Sequence, residues 1–303
     1  MSALEPIIHT CFEPRTSTWQ YVVADPSTKS AVIIDSVLDF DPSTSTISTE
    51  TADALLSLVK ENGYTVQHIL ETHVHADHLT ASRYLQQQLE KTNADHTKPA
   101  ICIGKRIHSV QERFARRYGI DKAEYEGAFD HLIDDDEIFP LGKLQVKAIH
   151  LPGHTPDHMG YMVGANVFCG DSLFNTDVGS ARCDFPDGDA HELYASAAKL
   201  FSLPPATKIY TGHDYPPDGR QEPRAYTTVA EQREDNKHLK AGTSEAEFVA
   251  WRQGRDAGLA EPRLLHQALQ FNIRAGRLPG VRGKGFGDRL LHVPVKVKGG
   301  RSW

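Results

Sequence analysis

Between Thr72 and His78 the chain reads Thr-His-Val-His-Ala-Asp-His, which packs His73, His75, Asp77 and His78 into six positions. Imidazole and carboxylate are the ordinary ligands of zinc and nonhaem iron. Such density sets the run apart from a pair of surface histidines with Asp77 as a helix cap. Three further stretches have the same form, an apolar run that ends in a ligand type: Leu151-Pro152-Gly153-His154, Val167-Phe168-Cys169-Gly170-Asp171 and Ile209-Tyr210-Thr211-Gly212-His213. In each, a glycine directly precedes the histidine or aspartate, so the backbone can approach a crowded centre closely.

The elements that must position these side chains follow from periodicity. Val66–Leu70 is β-rich, and Leu79–Glu90 reads as a helix with Leu79, Leu85 and Leu89 on its inner face. The histidine cluster therefore falls where a strand hands over to a helix. Residues at i and i+2 leaving a strand point the same way, so His73 and His75 converge on one point while Asp77 and His78 face a second beside it. Strands are expected over 20–25 and 31–35 as a hairpin, and over 100–104, 144–150, 159–163 and 166–169, with a further one leading into Gly212. Helices are expected over 51–62, ending at Gly63, and over 107–118, whose arginines Arg113, Arg116 and Arg117 form a solvated face. The stretch 39–49, rich in Asp, Ser and Thr, reads as a loop. The acidic run Asp134–Glu137 reads as a turn, because it lacks the glycine and ligand spacing of a Ca²⁺ loop.

Composition excludes several classes. With 303 residues, 39% hydrophobic and 24% charged, the chain has the balance of a soluble globular protein. A net charge of −7 makes no electrostatic case for nucleic acid or an anionic membrane. The four cysteines, Cys11, Cys102, Cys169 and Cys183, are widely spaced with no C-x-x-C pair, which suits a reducing compartment. The opening residues lack a basic leader, and no apolar run reaches the roughly eighteen residues of a membrane span. The expectation is a cytoplasmic protein, or a mitochondrial-matrix one if a transit peptide has been removed.

Taken together, H-x-H-x-D-H, His154, Asp171 and His213 resemble the ligand series of the metallo-β-lactamase superfamily, over roughly residues 8–240. That resemblance implies an α/β (α+β) fold, the αββα sandwich, with two mixed sheets face to face, helices outside and the metal at one edge. It divides the chain into a domain at 1–240 and a C-terminal helical extension at 241–303. The segment Gly179-Ser180-Ala181-Arg182-Cys183-Asp184-Phe185 looks like the G-x-A-R-x-D-F segment of the persulfide dioxygenase branch, and Tyr226–Asn236 is similar to that branch's downstream helix. The spacing from Asp171 to Arg182 is slightly longer than in the human-type members.

What this branch implies is one Fe(II) per chain on His73, His154 and Asp171, with His75, Asp77, His78 and His213 around it. Two histidines and a carboxylate leave three adjacent coordination positions for O₂ and substrate. The implied reaction oxidises glutathione persulfide with O₂ to sulfite and glutathione. Arg182 is the candidate for holding a glutathione carboxylate through its planar fork, against a structural ion pair with Asp184. Tyr215 is the candidate for donating a hydroxyl toward the metal, and Asp214 for orienting a histidine or serving as a cap. Cys183 lies near the site in a bland role. The same side chains also suit two zinc ions: His73, His75 and His154 on one, Asp77, His78 and His213 on the other, with Asp171 bridging. That would be a thioester hydrolase resembling glyoxalase II.

Beyond the ligand series, 244–255 and 262–275 are amphipathic helical patterns, with Leu264, Leu265, Leu269 and Ile273 able to dock on the core. The glycine-rich Arg282–Gly287 is not a phosphate loop, having neither a preceding strand nor Gly-Lys-Ser/Thr. The extension is a candidate dimer contact.

Overall fold

A computed structural model describes residues 5–93, 97–280 and 289–294; Arg282–Gly287 lies outside the described residues. The chain opens with strands β1 Ile7–Glu13, β2 Thr18–Ala24 and β3 Ser30–Ile34, followed by β4 Val37–Asp41, β5 Thr46–Ser48 and helix α1 Glu50–Asn62. Next come β6 Thr65–Leu70, β7 Leu79–Thr80, α2 Ser82–Thr92, β8 Ala100–Gly104, α3 Ile107–Tyr118, α4 Lys122–Tyr125 and β9 His131–Ile133. The second half holds β10 Ile138–Leu141, β11 Leu144–His150, β12 Met159–Val163, β13 Asn166–Phe168, α5 Ala190–Phe201, β14 Lys208–Tyr210 and β15 Tyr226–Thr228. Helices α6 Val229–Asp235, α7 Glu245–Asp256 and α8 Leu265–Asn272 follow.

Two six-stranded mixed sheets form, ordered β1-β2-β3-β6-β8-β9 and β10-β11-β12-β13-β14-β15. Strand β2 shows why they are covered on both faces: every residue from Thr18 to Ala24 is buried. Alternation along the strand sends Tyr21 and Val23 toward the opposing sheet, where they meet Val146, Ala148, Tyr161 and Phe168. Val22 and Ala24 turn outward under α1 and α2, among Leu55, Val59, Leu85 and Leu89. On the far face of the second sheet, Val167 and Ile209 pack with Leu193 and Leu200 of α5 and Phe248 of α7. This is the αββα sandwich that the resemblance implied. Among the described residues no helix is long and apolar enough to cross a membrane.

Several elements depart from expectation for identifiable reasons. The stretch 39–49 carries β4 and β5, paired Asp39 to Ser48. The Asp39 carboxylate then accepts from the Thr51 amide at 2.9 Å and its hydroxyl at 2.7 Å, serving the first turn of α1, where Thr49 makes no side-chain cap. Helix α2 starts at Ser82 rather than Leu79, because Leu79 and Thr80 pair with Leu38 and Val37 and the hydroxyls of Thr80 and Ser82 donate to the buried Glu71. Strand β1 and helix α5 were not anticipated. In α5 the signal was present: Ala190, Leu193, Ala197 and Leu200 recur at helical spacing and are all buried, behind an Asp189 N-cap that accepts from His191 N at 2.6 Å.

The acidic turn pairs with neighbouring cations, Asp134 with Lys105 and Asp135 with Arg106. Leu264, Leu265, Leu269 and Ile273 are all buried, and Phe248 of α7 is 1% exposed. Truncating Phe248 to alanine removes a large buried ring and should cost about 3–5 kcal/mol in denaturant unfolding. Arg116→Ala, on the solvated face of α3, should stay within about 0.5 kcal/mol of wild type.

Candidate metal centre

The loop that leaves β6 carries the histidine cluster and is fixed at backbone level. Asp35, at the end of β3, adopts a φ of 51°, a left-handed conformation that aspartate tolerates better than most residues. Its carboxylate accepts from Thr72 N at 2.7 Å and Thr72 Oγ1 at 2.8 Å, and lies 3.2 Å from His75 Nε2. Two residues along, Val74 N donates to Asp157 Oδ2 at 2.9 Å. Before the cluster, Tyr161 donates its hydroxyl to the Glu71 carbonyl at 2.7 Å. His73 is thus flanked by anchored amides on both sides.

The side chains gather into two adjoining groups. Ligand atoms of His73, His154 and Asp171 lie within 4.8 Å of one another, as do those of His75, Asp77 and His78. His213 joins the two, its Nε2 being 3.3 Å from Asp77 Oδ2 and 3.5 Å from Asp171 Oδ2. All seven residues read from the sequence as ligand types are therefore brought to one edge of the sandwich. Gly212 is needed there: a Cβ on it would lie 2.4 Å from Asp171 Oδ1.

Each imidazole has one nitrogen engaged by another protein group. His73 Nδ1 meets Thr72 Oγ1 at 3.0 Å, His154 Nδ1 donates to the Arg182 carbonyl at 2.7 Å, and His78 Nδ1 meets Asp77 Oδ2 at 3.0 Å. His213 Nδ1 lies 3.2 Å from the Ser17 carbonyl. Left over are His73 Nε2, His75 Nδ1, His78 Nε2 and Asp171 Oδ1, all buried and without a hydrogen-bond partner among the described residues. A buried polar atom left unpaired costs about 1–3 kcal/mol, so four in one cluster mark a donor set built for a cation. Holding the outer nitrogen of a histidine while the inner one faces the centre is the usual support of a metal ligand. The residues present fit a metal ion.

Electrostatics agree. Burial, together with crowding by His75, His158 and His154, holds the His73 pKa well below its ordinary value, so its imidazole is neutral and able to ligate. For Asp77, burial disfavours the charge, but His213 and His78 outweigh it and keep the carboxylate ionised far below the usual range. Burial also opposes charge on His75, yet Asp35 and Glu71 prevail and raise its pKa well above the ordinary imidazole value.

Arg182 and Asp214 hold other partners than those expected. The Arg182 fork is already filled: Nε and Nη2 each bond Asp184 at 2.5 Å, and Nη1 donates to the Ala260 carbonyl at 2.9 Å. It is not a free clamp for a substrate carboxylate. Among the described residues the Asp214 carboxylate bonds no histidine; it pairs with Arg220 at 2.5 and 2.7 Å and accepts from Arg224 N at 2.7 Å. Arg220 reaches Asp177 as well, at 2.6 Å, tying the loop after β14 to the loop after Asp171. Cys183 is a buried thiol whose pKa burial pushes up, and its amide donates to Asp256 at 2.8 Å. Tyr215 is 47% exposed, with its ring stacked on His213 at 5.7 Å.

Residues the sequence reading missed support the cluster from behind. His158 stacks on His73 at 4.8 Å, and its Nε2 accepts the Asp171 amide at 3.0 Å. It closes the motif that begins at Leu151, so its place in the sequence was a usable signal. Asp35 and Asp157 were visible only as a strand end and a turn residue. A pocket of about 330 Å³ opens over the cluster, lined by Asp77, His154, Asp171, His213, Arg182 and Tyr215, with Arg15 and Arg263 also on its wall.

Comparison with known proteins agrees with this architecture. Residues 14–213 match the family model of the metallo-beta-lactamase superfamily. Glyoxylase B2 of Dictyostelium discoideum is 43% identical over 286 residues, covering 93% of this chain and 94% of that protein. The mitochondrial persulfide dioxygenase ETHE1 of Bos taurus is 29% identical over 273 residues, 89% of either protein. The crystal structure of ETHE1 from Myxococcus xanthus superposes with a TM-score of 0.70 at 30% identity, covering 89% of this chain and 100% of that one. With its two-sheet sandwich and the ligand series at one edge, the chain belongs to the metallo-β-lactamase superfamily, and within it resembles the persulfide dioxygenase branch.

Proposed function

We propose that the protein is a persulfide dioxygenase with one Fe(II) per chain on His73, His154 and Asp171. The reaction takes glutathione persulfide, O₂ and water to glutathione, sulfite and two protons; the terminal sulfur gives up four electrons and O₂ accepts them. The observation that carries this reading is the buried group of two histidines and one carboxylate, its ligand atoms within 4.8 Å of one another. Its His154 and Asp171 line the pocket. When bound, iron supplies the O₂ and redox chemistry. The chain's own residues orient and exclude water. Asp35 and Glu71 flank His75 Nε2 at 3.2 and 3.3 Å and fix the orientation of its ring beside the metal. Asp77, paired with His78 and His213, forms part of the pocket wall.

Substrate charge is met at the pocket wall. Since Arg182 is spent on Asp184, its part is to hold the wall and, through its carbonyl, His154. Arg15 and Arg263 are exposed cations on the same pocket, and they take over recognition of the glutathione carboxylates. Tyr215 borders the metal-facing side and donates its hydroxyl toward substrate. The division into a 1–240 domain and a 241–303 extension is part of this proposal. So is a cytoplasmic setting, which suits four cysteines that are all unpaired.

A second reading is favoured by the free His75 Nδ1 and His78 Nε2 and by the 43% identity to Glyoxylase B2: a dinuclear zinc thioester hydrolase on all seven side chains. Protein purified without oxygen should contain about one iron per chain and consume O₂ with glutathione persulfide, with little S-lactoylglutathione hydrolysis. Two tightly held zinc ions with brisk thioester hydrolysis and no O₂ uptake would replace the dioxygenase by the hydrolase.

Two sets of variants refine the assignment. His73→Ala and Asp171→Ala should abolish metal binding, whereas His213→Ala should keep iron and lose turnover by roughly ten- to a hundredfold; iron loss in His213→Ala would favour the dinuclear site. Arg15→Ala and Arg263→Ala should each raise KM for glutathione persulfide roughly tenfold with kcat little changed. An unchanged KM in both would remove them from substrate recognition.

A further inference from the structure

The seven ligand-type side chains lie between His73 and His213, inside the segment that matches the superfamily. A polar side chain from outside that segment is bonded to their loop. Asn272, the last residue of α8, is 3% exposed, and its Nδ2 donates to the carbonyls of His75 and His78, each at 2.8 Å. Its Oδ1 accepts the Thr80 amide at 2.9 Å. Both amide protons and the carbonyl oxygen are thus committed to the backbone of the loop that presents His75, Asp77 and His78. An amide has two donors and an acceptor, so neither leucine nor aspartate can reproduce the set.

Helix α8 is itself bolted to the body of the protein. Leu269 and Ile273 are fully buried against α3 and β8, Gln111 donates to the Ile273 carbonyl at 2.9 Å, and Arg274 pairs with Glu124 at 2.7 Å. The residues leading into α8, Pro262 and Arg263, form part of the pocket wall. The same short segment therefore builds a wall of the pocket and pins the metal loop.

We infer that Asn272 is a positioning residue of the metal centre, and that docking of α8 and metal binding at the histidine cluster are coupled. The inference needs only that the cluster binds a metal, whichever the reaction. A loop clamped at His75, His78 and Thr80 presents its ligands already oriented; a freed loop must be ordered by the ion itself, which weakens binding. The coupling is reciprocal, so metal must also tighten α8.

The test uses the full chain with Zn(II) as probe, measured by competition with a chelator, so that neither O₂ nor persulfide chemistry enters. Asn272→Asp keeps the acceptor for Thr80 but turns a carboxylate oxygen toward two carbonyls, and should weaken Zn(II) binding roughly ten- to a hundredfold. Leu200→Ala loosens the core in the α5 cluster, which holds no residue of α8 or of the metal loop, and should leave the affinity within about threefold. Unchanged affinity in Asn272→Asp overturns the proposal, and so does an equal loss in both variants, which would make the effect general loosening. If Asn272→Asp does not fold, hydrogen exchange on the wild type decides: Zn(II) should slow exchange across α8 and at Thr80 N, and exchange indifferent to Zn(II) overturns the coupling.

Discussion

A single carboxylate at the end of β3 sets the geometry on which the rest depends. Asp35 takes the Thr72 amide and hydroxyl at 2.7 and 2.8 Å and faces His75 Nε2 at 3.2 Å. It thereby determines where the chain leaves β6 and which way His73 and His75 turn. Without that anchor the loop would have to be ordered by the bound ion, and the ordering entropy of several residues, about 1–2 kcal/mol each for the backbone alone, would be taken from metal affinity. The Asp157 contact to Val74 N and the Tyr161 contact to the Glu71 carbonyl extend the same anchoring to either side.

Preorganisation of this kind is destabilising before a metal arrives. Four buried ligand atoms have no partner among the described residues, and His73 sits amid four other imidazoles that, with burial, depress its pKa. The sandwich tolerates the cost because the adjoining layers are heavily apolar: Tyr21, Tyr161 and Phe168 are buried between the sheets directly below the cluster's supporting loops. Tyr161 belongs to both systems, its ring in the core and its hydroxyl on the metal loop. A rigid core thus imposes on the edge loops a geometry that they would not choose alone.

The carboxylates around the centre divide into two kinds. Asp171 and Asp77 face the histidine nitrogens, at 3.5 and 3.3 Å from His213 Nε2. Asp184, Asp214 and Asp177 instead neutralise arginines and lock loops together. Arg182 and Arg220, which as isolated residues look like anion receptors, are braces. Arg15 and Arg263, by contrast, are exposed on the pocket wall.

The sequence by itself determined the chemistry's inventory and the course of many strands and helices, while the sandwich followed from the resemblance of the ligand series. Ligand density between His73 and His78, a glycine before each of His154, Asp171 and His213, and alternation along the strands are all local, and local patterns survive without coordinates. Helix α5 was equally legible in its spacing of Leu193, Ala197 and Leu200. The tertiary structure alone decided which atoms share a bond. Asp35 meets Thr72 across 37 residues and Asn272 meets His75 across 197, and nothing in the neighbourhood of either residue announces the other. Arg182 was ambiguous for the same reason: Asp184 stands two positions away, but the Ala260 carbonyl that fixes the guanidinium's plane arrives from 78 residues along the chain. A side chain's type fixes what it can donate or accept, whereas its partner is fixed by packing, which brings together segments that the sequence keeps far apart.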